Sequence, residues 1–266
     1  MTKLSQNALK SLAKLRQKKH RREAGRYIAE GARLVQEALL SKCPVECLVC
    51  TGAFQENALA DKIFRLANHR KIQCFETGSK DFARLAETVH SQGVLAVVHL
   101  EKTSQNTLRE IASQDECLIL AIEKLHDPGN LGTIFRTAAW FGVDGVALGT
   151  DCVDWTNGKV LRASMGACFN LPIFEICDFE DYLGKQKENG AVIYASTPKS
   201  GKNYVETEYA KRKILLVGDE TEGLSQTSIE LADQKITIPR RGSGESLNAA
   251  SAAAILFAEV TRGSKG

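Results

Sequence analysis

The chain is predicted to be an α/β protein. Its C-terminal domain is expected to hold a mostly parallel sheet with helices on both faces, preceded by a small N-terminal α/β domain. Three observations predict this. From residue 116 onward, apolar strand-like runs alternate with helix-like stretches, as βαβ units require. Three of those runs end in a Gly- or Pro-containing turn followed by a small-residue helix, at 122–142, 215–225 and 236–256. Loops of that kind collect at one rim of a parallel sheet, where α/β proteins bind ligands. The third observation is size: 266 residues with 43% apolar content suffice for a sizeable core and two domains.

The elements follow in order. A helix is expected after Ser5, then a second over 30–41, a strand at VECLVC (45–50), a helix near 55–69, and strands at IQCF (72–75) and VLAVVHL (94–100). The stretch 101–115 is polar, lacks a long apolar run and reads as a linker with a helical turn. Then come CLILAIE, a helix from about 130, GVALG, the segment 157–167, LPIFEI, a helix near 179–188, AVIYAST, KILLVG, KITIP and a closing helix near 245–262. The expected organisation is an N-terminal domain over 1–100, a linker over 101–115 and a C-terminal domain over 116–266.

Composition narrows the function classes. No run of about 18 apolar residues is present to span a bilayer, and the N-terminus lacks the apolar segment of a signal peptide. Eight cysteines without a secretory signal fit free thiols in a reducing cytoplasm. Residues 1–26 carry nine Lys/Arg against the single acid Glu23, a charge of +8 in a chain of net +3. A basic segment on a mildly acidic body is the footprint of a polyanion binder, usually nucleic acid. Lys18, Lys19, Arg21, Arg22 and Arg26 are its candidate nucleic-acid contacts. Leu4, Ala8, Leu12 and Leu15 recur at helical spacing, so an amphipathic helical arm is expected.

Cys43, Cys47 and Cys50 have the C-x3-C-x2-C spacing of radical-SAM iron–sulfur enzymes. The context argues against a cluster. Val45 to Cys50 reads as a strand, in which Cys47 and Cys50 point to opposite faces, whereas a cluster needs convergent thiolates. Buried cysteines acting as small hydrophobes are the better reading. The same geometry disfavours zinc, and no metal is expected.

The three turn-containing blocks carry the polar chemistry. In HDPGNLGTIFRTAAWFG, Asn130 is a plausible helix cap and Arg136 falls two turns into the helix. In LLVGDETEGLS, the strand ends at Gly218, where backbone can approach a ligand. Glu220 and Glu222 then supply carboxylates in the turn. In ITIPRRGSGESLNAASAAAIL, Pro239 stops the strand. Arg240 and Arg241 suit phosphate contact, Ser246 and Asn248 offer hydroxyl and amide groups, and a run of alanines allows close helix packing.

Taken together, DPGNLGTIFRTAAWFG, GDETEGL and IPRRGSGESLNAASAAAI resemble the three motifs of the SpoU (TrmH) family of SPOUT methyltransferases. LRASMGACFNLPI (161–173) resembles a further family segment. KKHRREAGRYIAEGARLVQEAL (18–39) resembles the substrate-binding domain of many such enzymes. The resemblance implies a fold threaded as a deep trefoil knot, an exception to the unknotted rule, and a homodimer built through that domain. It implies S-adenosyl-L-methionine as cofactor, lined by Thr197, Gly218, Ile238 and Leu247. It implies Asn130, Arg136, Glu220, Ser246 and Asn248 as catalytic and RNA-positioning residues. Asp219 stands where Asn is usual and Thr221 where Gly is usual, two departures that bear on loop shape.

The implied reaction is methylation of a ribose 2′-hydroxyl in RNA. Much of that task is positioning. Guanidinium stays protonated in proteins, so Arg136 suits a phosphate clamp that stabilises a developing alkoxide better than it suits a base. The N-terminal domain looks more like those of ribosomal-RNA enzymes, so 23S-type rRNA is expected over tRNA. The alternatives are a tRNA 2′-O-methyltransferase and a non-catalytic RNA-binding protein that kept the fold.

Overall fold

The computed structural model describes residues 1–101, 105–198, 200–219, 221–243 and 246–262. The chain forms two compact units: residues 1–101 with 154–170, and residues 102–153 with 171–266.

The first unit is built from β1 (Thr2–Lys3), α1 (Gln6–Lys14), α2 (Lys18–Ala24), β2 (Arg26–Glu30), α3 (Ala32–Leu40), β3 (Val45–Cys50), α4 (Ala60–His69), β4 (Gln73–Glu76), α5 (Ser79–Leu85) and β5 (Val94–His99). Its five-stranded sheet runs β1-β4-β3-β5-β2. β1, β4 and β3 are parallel, and β5 is antiparallel to both neighbours. Ser5 caps α1 by accepting from the Ala8 amide, as its sequence position predicts. Leu9, Leu12 and Leu15 then pack with Phe82, Leu85, Cys47, Val49, Leu95 and Val97. The basic segment is therefore not a projecting arm. It spans β1, α1, α2 and the start of β2, with α1 anchored in the core by its leucine stripe.

The C-x3-C-x2-C segment is strand β3, as its alternation predicts. Cys47 enters the α1-facing cluster and Cys50 does not. Burial pushes the Cys47 thiol up to about 12 and the Cys50 thiol up to about 11, so both are neutral and poor metal ligands. All eight cysteines are free.

The second unit is the predicted parallel sheet. Its elements are α6 (Gln105–Ala112), β6 (Cys117–Ile122), α7 (Pro128–Trp140), β7 (Gly145–Gly149), β8 (Ile173–Ile176), α9 (Phe179–Glu188), β9 (Val192–Ser196), β10 (Lys202–Asn203), β11 (Arg212–Val217), α10 (Gln226–Leu231), β12 (Gln234–Thr237) and α11 (Ala249–Val260). The order is β10-β12-β9-β11-β6-β7-β8, and every pairing is parallel. β6 is buried along its whole length, as expected of a strand covered on both faces.

One segment crosses between units in sequence. α8 (Gly158–Ser164) falls within the stretch expected for the C-terminal domain, yet residues 154–170 pack with the N-terminal ones. The contacts give the reason. Asp154 pairs with Arg21 and Arg22, Trp155 meets Tyr27 edge-on at 5.6 Å, and Arg162 lies 3.5 Å from Glu87.

Among the described residues no helix is long and apolar enough to cross a membrane.

Candidate active site

β12, β9, β11 and β6 are consecutive neighbours and all parallel, so their C-terminal ends share one rim. Ile238 follows β12, Thr197 follows β9, Gly218 follows β11, and the loop after β6 leads into α7. The β11–β6 ladder ends at Val217 and Ile122, and the β12–β9 ladder at Ile236 and Ser196. Just beyond those pairs the Thr197 and Glu123 amides still donate to the Ile236 and Val217 carbonyls, and Thr237 pairs with Asn203 of β10; the loops that follow lie at the rim where α/β sheets bind ligands.

α7 positions the first block. Pro128 sits at N1 and Asp127 is the N-cap, accepting from the Asn130 amide at 2.7 Å. The expected cap was Asn130; the structure assigns capping to Asp127, because proline at N1 fixes the start three residues earlier. Asn130 is thereby released from capping and lies inside the first turn. Leu131, Ile134, Phe135 and Ala138 are buried and repeat at helical spacing, which leaves Arg136 exposed on another face. No ion pair with another described residue holds Arg136.

α11 positions the third block. Asn248 is its N-cap, accepting from the amides of Ala250 and Ser251. The other atom of that side-chain amide, Nδ2, donates to Asn130 Oδ1 at 2.9 Å. One hydrogen bond therefore joins the first and third blocks, 118 residues apart in sequence. α7 and α11 pack together, with Phe141 and Phe257 6.4 Å apart between ring centroids. The alanines of α11 permit that approach. Ser246 is exposed just before the cap, and Arg240 and Arg241 are exposed after β12.

The second block is a closed loop. A Cβ on Gly218 would collide with the Gly223 carbonyl, so glycine is needed there for the loop to fold back on itself. Gly223 has φ +72°, a conformation that favours glycine. Asp219 and Gly223 exchange backbone hydrogen bonds. Asp219 Oδ1 also accepts from the amides of Thr221 and Glu222, the turn an Asn would make as readily. Burial raises the Asp219 carboxyl, but those two amides and His126 outweigh it and hold it below its ordinary value. Glu220 lies outside the described residues.

The residues expected around the cofactor fit such a group. Thr197 is buried, and its amide donates to the Ile236 carbonyl at 2.9 Å. Ile238 is half-buried, and Leu247 keeps 48% of its surface exposed. An uncovered leucine is the kind of apolar side chain that a small-ligand site uses. Among the described residues no group of three His, Cys, Asp or Glu could hold a metal.

The cations expected to meet RNA are spent unequally. Lys18 and Lys19 are exposed. Arg26 is tied to Glu46 at 2.9 Å, and Arg22 to Asp154 at 2.9 Å. Arg21 corrects the expectation. It is 4% exposed, donating to Asp154, Thr156 and the carbonyls of Leu15 and Arg16. It is an internal strut, because its guanidinium is consumed within the first unit. Sequence reasoning missed Asp127, although an Asp-Pro step opening an apolar period is a helix-start signal. It also missed His126, whose partner lies 93 residues away and leaves no local trace.

A family model described as the SpoU rRNA Methylase family matches residues 117–258. One described as an MRM3-like substrate binding domain matches residues 6–96. The chain is 33% identical over 250 residues to the 23S rRNA (guanosine(2553)-2′-O)-methyltransferase RlmP of Bacillus subtilis, covering 93% of each chain. It is 33% identical over 261 residues to an uncharacterized tRNA/rRNA methyltransferase of Synechocystis sp., covering 97% of this chain and 92% of the other. The AdoMet-bound rRNA methyltransferase from Sinorhizobium meliloti superposes with a TM-score of 0.85 at 29% identity, covering 100% of this chain and 98% of the other.

Proposed function

This chain belongs to the SpoU rRNA methylase family, and we propose that it transfers a methyl group from S-adenosylmethionine to a ribose 2′-hydroxyl of 23S-type ribosomal RNA. The observation that carries the reading is the Asn248–Asn130 hydrogen bond. It draws two of the three blocks together at the rim where the second block also ends, and leaves Arg136 exposed nearby on the same helix as Asn130. The rRNA methyltransferases among the similar proteins favour ribosomal RNA as the substrate class.

In this reading the cofactor, when bound, supplies an electrophilic methyl on a sulfonium, an excellent leaving group. The chain's own work is placement. Thr197, Gly218, Ile238 and Leu247 hold the cofactor against the strand ends. Arg136 clamps an RNA phosphate and stabilises the oxyanion that develops at the 2′-oxygen, and it stays protonated throughout. Ser246 and Asn248 hydrogen-bond the ribose, with Asn130 fixing the Asn248 amide. Glu220 completes the proposed set. Arg240 and Arg241, with Lys18 and Lys19, meet the RNA backbone.

We further propose a homodimer through this domain. What supports it is Trp140, a large side chain 85% exposed at the end of α7. Tryptophan is enriched at protein–protein interfaces. The knotted threading belongs to the same proposal, supported by the insertion of β11 between β9 and β6. A cytoplasmic location is proposed too, in keeping with eight free thiols.

The test is methyl transfer from radiolabelled S-adenosylmethionine into ribosomal RNA and tRNA from cells lacking this gene. Label mapping to a 2′-O-methyl nucleotide of large-subunit RNA is expected. Label in tRNA alone would overturn the substrate class, and no transfer without cofactor binding would favour a non-catalytic RNA-binding protein. Sedimentation of wild type and Trp140→Glu tests the dimer: a wild-type monomer would refute it.

A further inference from the structure

The strand ends of β6 and β11 are tied together by three side-chain links. The Glu123 carboxylate accepts from the Ser225 amide at 2.9 Å and from the Ser228 hydroxyl at 2.8 Å. Lys124 Nζ donates to Glu222 at 2.5 Å. His126 Nδ1 lies 3.3 Å from Asp219 Oδ2. The first link holds the start of α10, beyond the loop, and the second holds an exposed carboxylate on the loop's far side. The third is different. Asp219 shapes the turn after Gly218 with one oxygen and reaches His126 with the other. His126 directly precedes Asp127, the residue that caps α7. A single carboxylate thus connects the fold of the second block to the start of the first.

We propose that His126 and Asp219 are a positioning pair that sets the Gly218–Gly223 loop against the head of α7, and that full affinity for S-adenosylmethionine depends on it. The inference rests on the reading of this rim as the cofactor site. The loop closes on itself through the Asp219–Gly223 bridge, which shapes it without fixing its direction relative to α7. Direction must come from ties to the neighbouring strand end. Asp219 suits that role because its side chain is only 9% exposed, whereas His126 is 61% exposed. The loop end of the tie is buried and the other end is exposed. A loop held in place before binding spares the ligand the cost of ordering it. The tie becomes ionic when His126 is protonated.

Calorimetric titration with S-adenosylmethionine tests the pair on the full chain, using wild type, His126→Ala, Asp219→Asn and the double variant. Asp219→Asn keeps a side-chain oxygen for the Thr221 and Glu222 amides and removes only the charge facing His126. Each single variant is expected to weaken binding about threefold, the size of a partly exposed ion pair. The double variant should bind no worse than either single, because both remove one interaction. Melting temperatures should match wild type. In steady state the KM for the cofactor should rise while the KM for RNA and kcat hold. Wild-type affinity in both single variants, or losses that add in the double variant, would overturn the pair. No binding by the wild-type chain would overturn the cofactor reading beneath it, and the two failures are distinguishable because only the second silences the wild type.

Discussion

Arg21 and Arg136 both lie on helices in blocks that sequence patterning marks as functional, and the two units use them in opposite ways. In the first unit the guanidinium of Arg21 is buried against Asp154, Thr156 and two backbone carbonyls. In the second unit Arg136 stands exposed on α7 while four neighbours on that helix make the core. An arginine whose three side-chain nitrogens all donate internally holds a fold together. One left in solvent beside an ordered polar rim is available to a ligand. Their surroundings differ, and residue type alone does not separate them.

The largest expected effect tests the buried member. Arg21→Met leaves Asp154 without its main partner in a site where its side chain is 4% exposed. Breaking such a buried pair costs about 3–5 kcal/mol, to be read as a drop in unfolding free energy in denaturant melts. The pH dependence carries a sign. Burial raises the Asp154 carboxyl, but Arg21, Arg22 and Thr156 outweigh it and hold the carboxyl below its ordinary value. In wild type that group therefore contributes stability above the unfolded carboxyl pKa, about 3.9. The contribution is lost as pH falls through the folded value. The variant should show its full deficit at neutral pH and a narrowing deficit in acid. A variant as stable as wild type at pH 7 would remove the contrast between the two arginines.

The exposed member comes next. Arg136→Ala should lower kcat by about a hundredfold or more, the usual size of losing one group that stabilises a developing oxyanion. Its unfolding free energy should stay within about 0.5 kcal/mol of wild type. Single-turnover transfer and a denaturant melt on the same preparation check both halves. A stability loss as large as that of Arg21→Met would mean that Arg136 is structural as well.

The contrast also explains what was legible in the sequence. The parallel sheet was readable because strands buried on both faces are continuous apolar runs, as β6 shows, and because turn residues punctuate them. The rim was readable because its residues sit next to those turns. Partners far apart in sequence were not readable. Arg21 meets Asp154 across 133 residues and His126 meets Asp219 across 93, and no local period encodes either pairing. The assignment of residues 154–170 to the first unit was hidden for the same reason: a short helix between two strands of one sheet carries no mark of packing elsewhere. Even Asn130 was legible as a polar helix-start residue, while its release by the Asp127 cap required the observed hydrogen bond.

Asn248 falls between the two arginines, since it serves both structure and the rim. Asn248→Ala removes the N-cap of α11, worth about 1 kcal/mol, and with it the donor to Asn130. Asn248→Asp keeps an oxygen for the Ala250 and Ser251 amides but loses the Nδ2 that reaches Asn130. Both variants should lose transfer activity, and only the alanine should lose stability. Equal stability loss in the two would show that the hydrogen bond to Asn130, more than the cap, holds α11 in place.

The smallest expected effect extends the contrast to the cations of α2. Lys18 and Lys19 are exposed at its start, and Lys19 has only a 3.9 Å contact with Glu23. Arg21 is consumed inside the unit, so the charge available to RNA from this helix should be carried mainly by the two lysines. Replacing both with Gln should weaken RNA binding by a similar factor for every sequence, because phosphate contacts carry no base information. It should also reduce the slope of log K against log salt by about 0.7 for each lysine that meets a phosphate of single-stranded RNA. Stability should not change, since neither side chain is buried. Filter binding across a salt series reads the slope directly. An unchanged slope would place the RNA path away from α2. In that case the basic N-terminal segment would serve the fold through α1 and Arg21 alone.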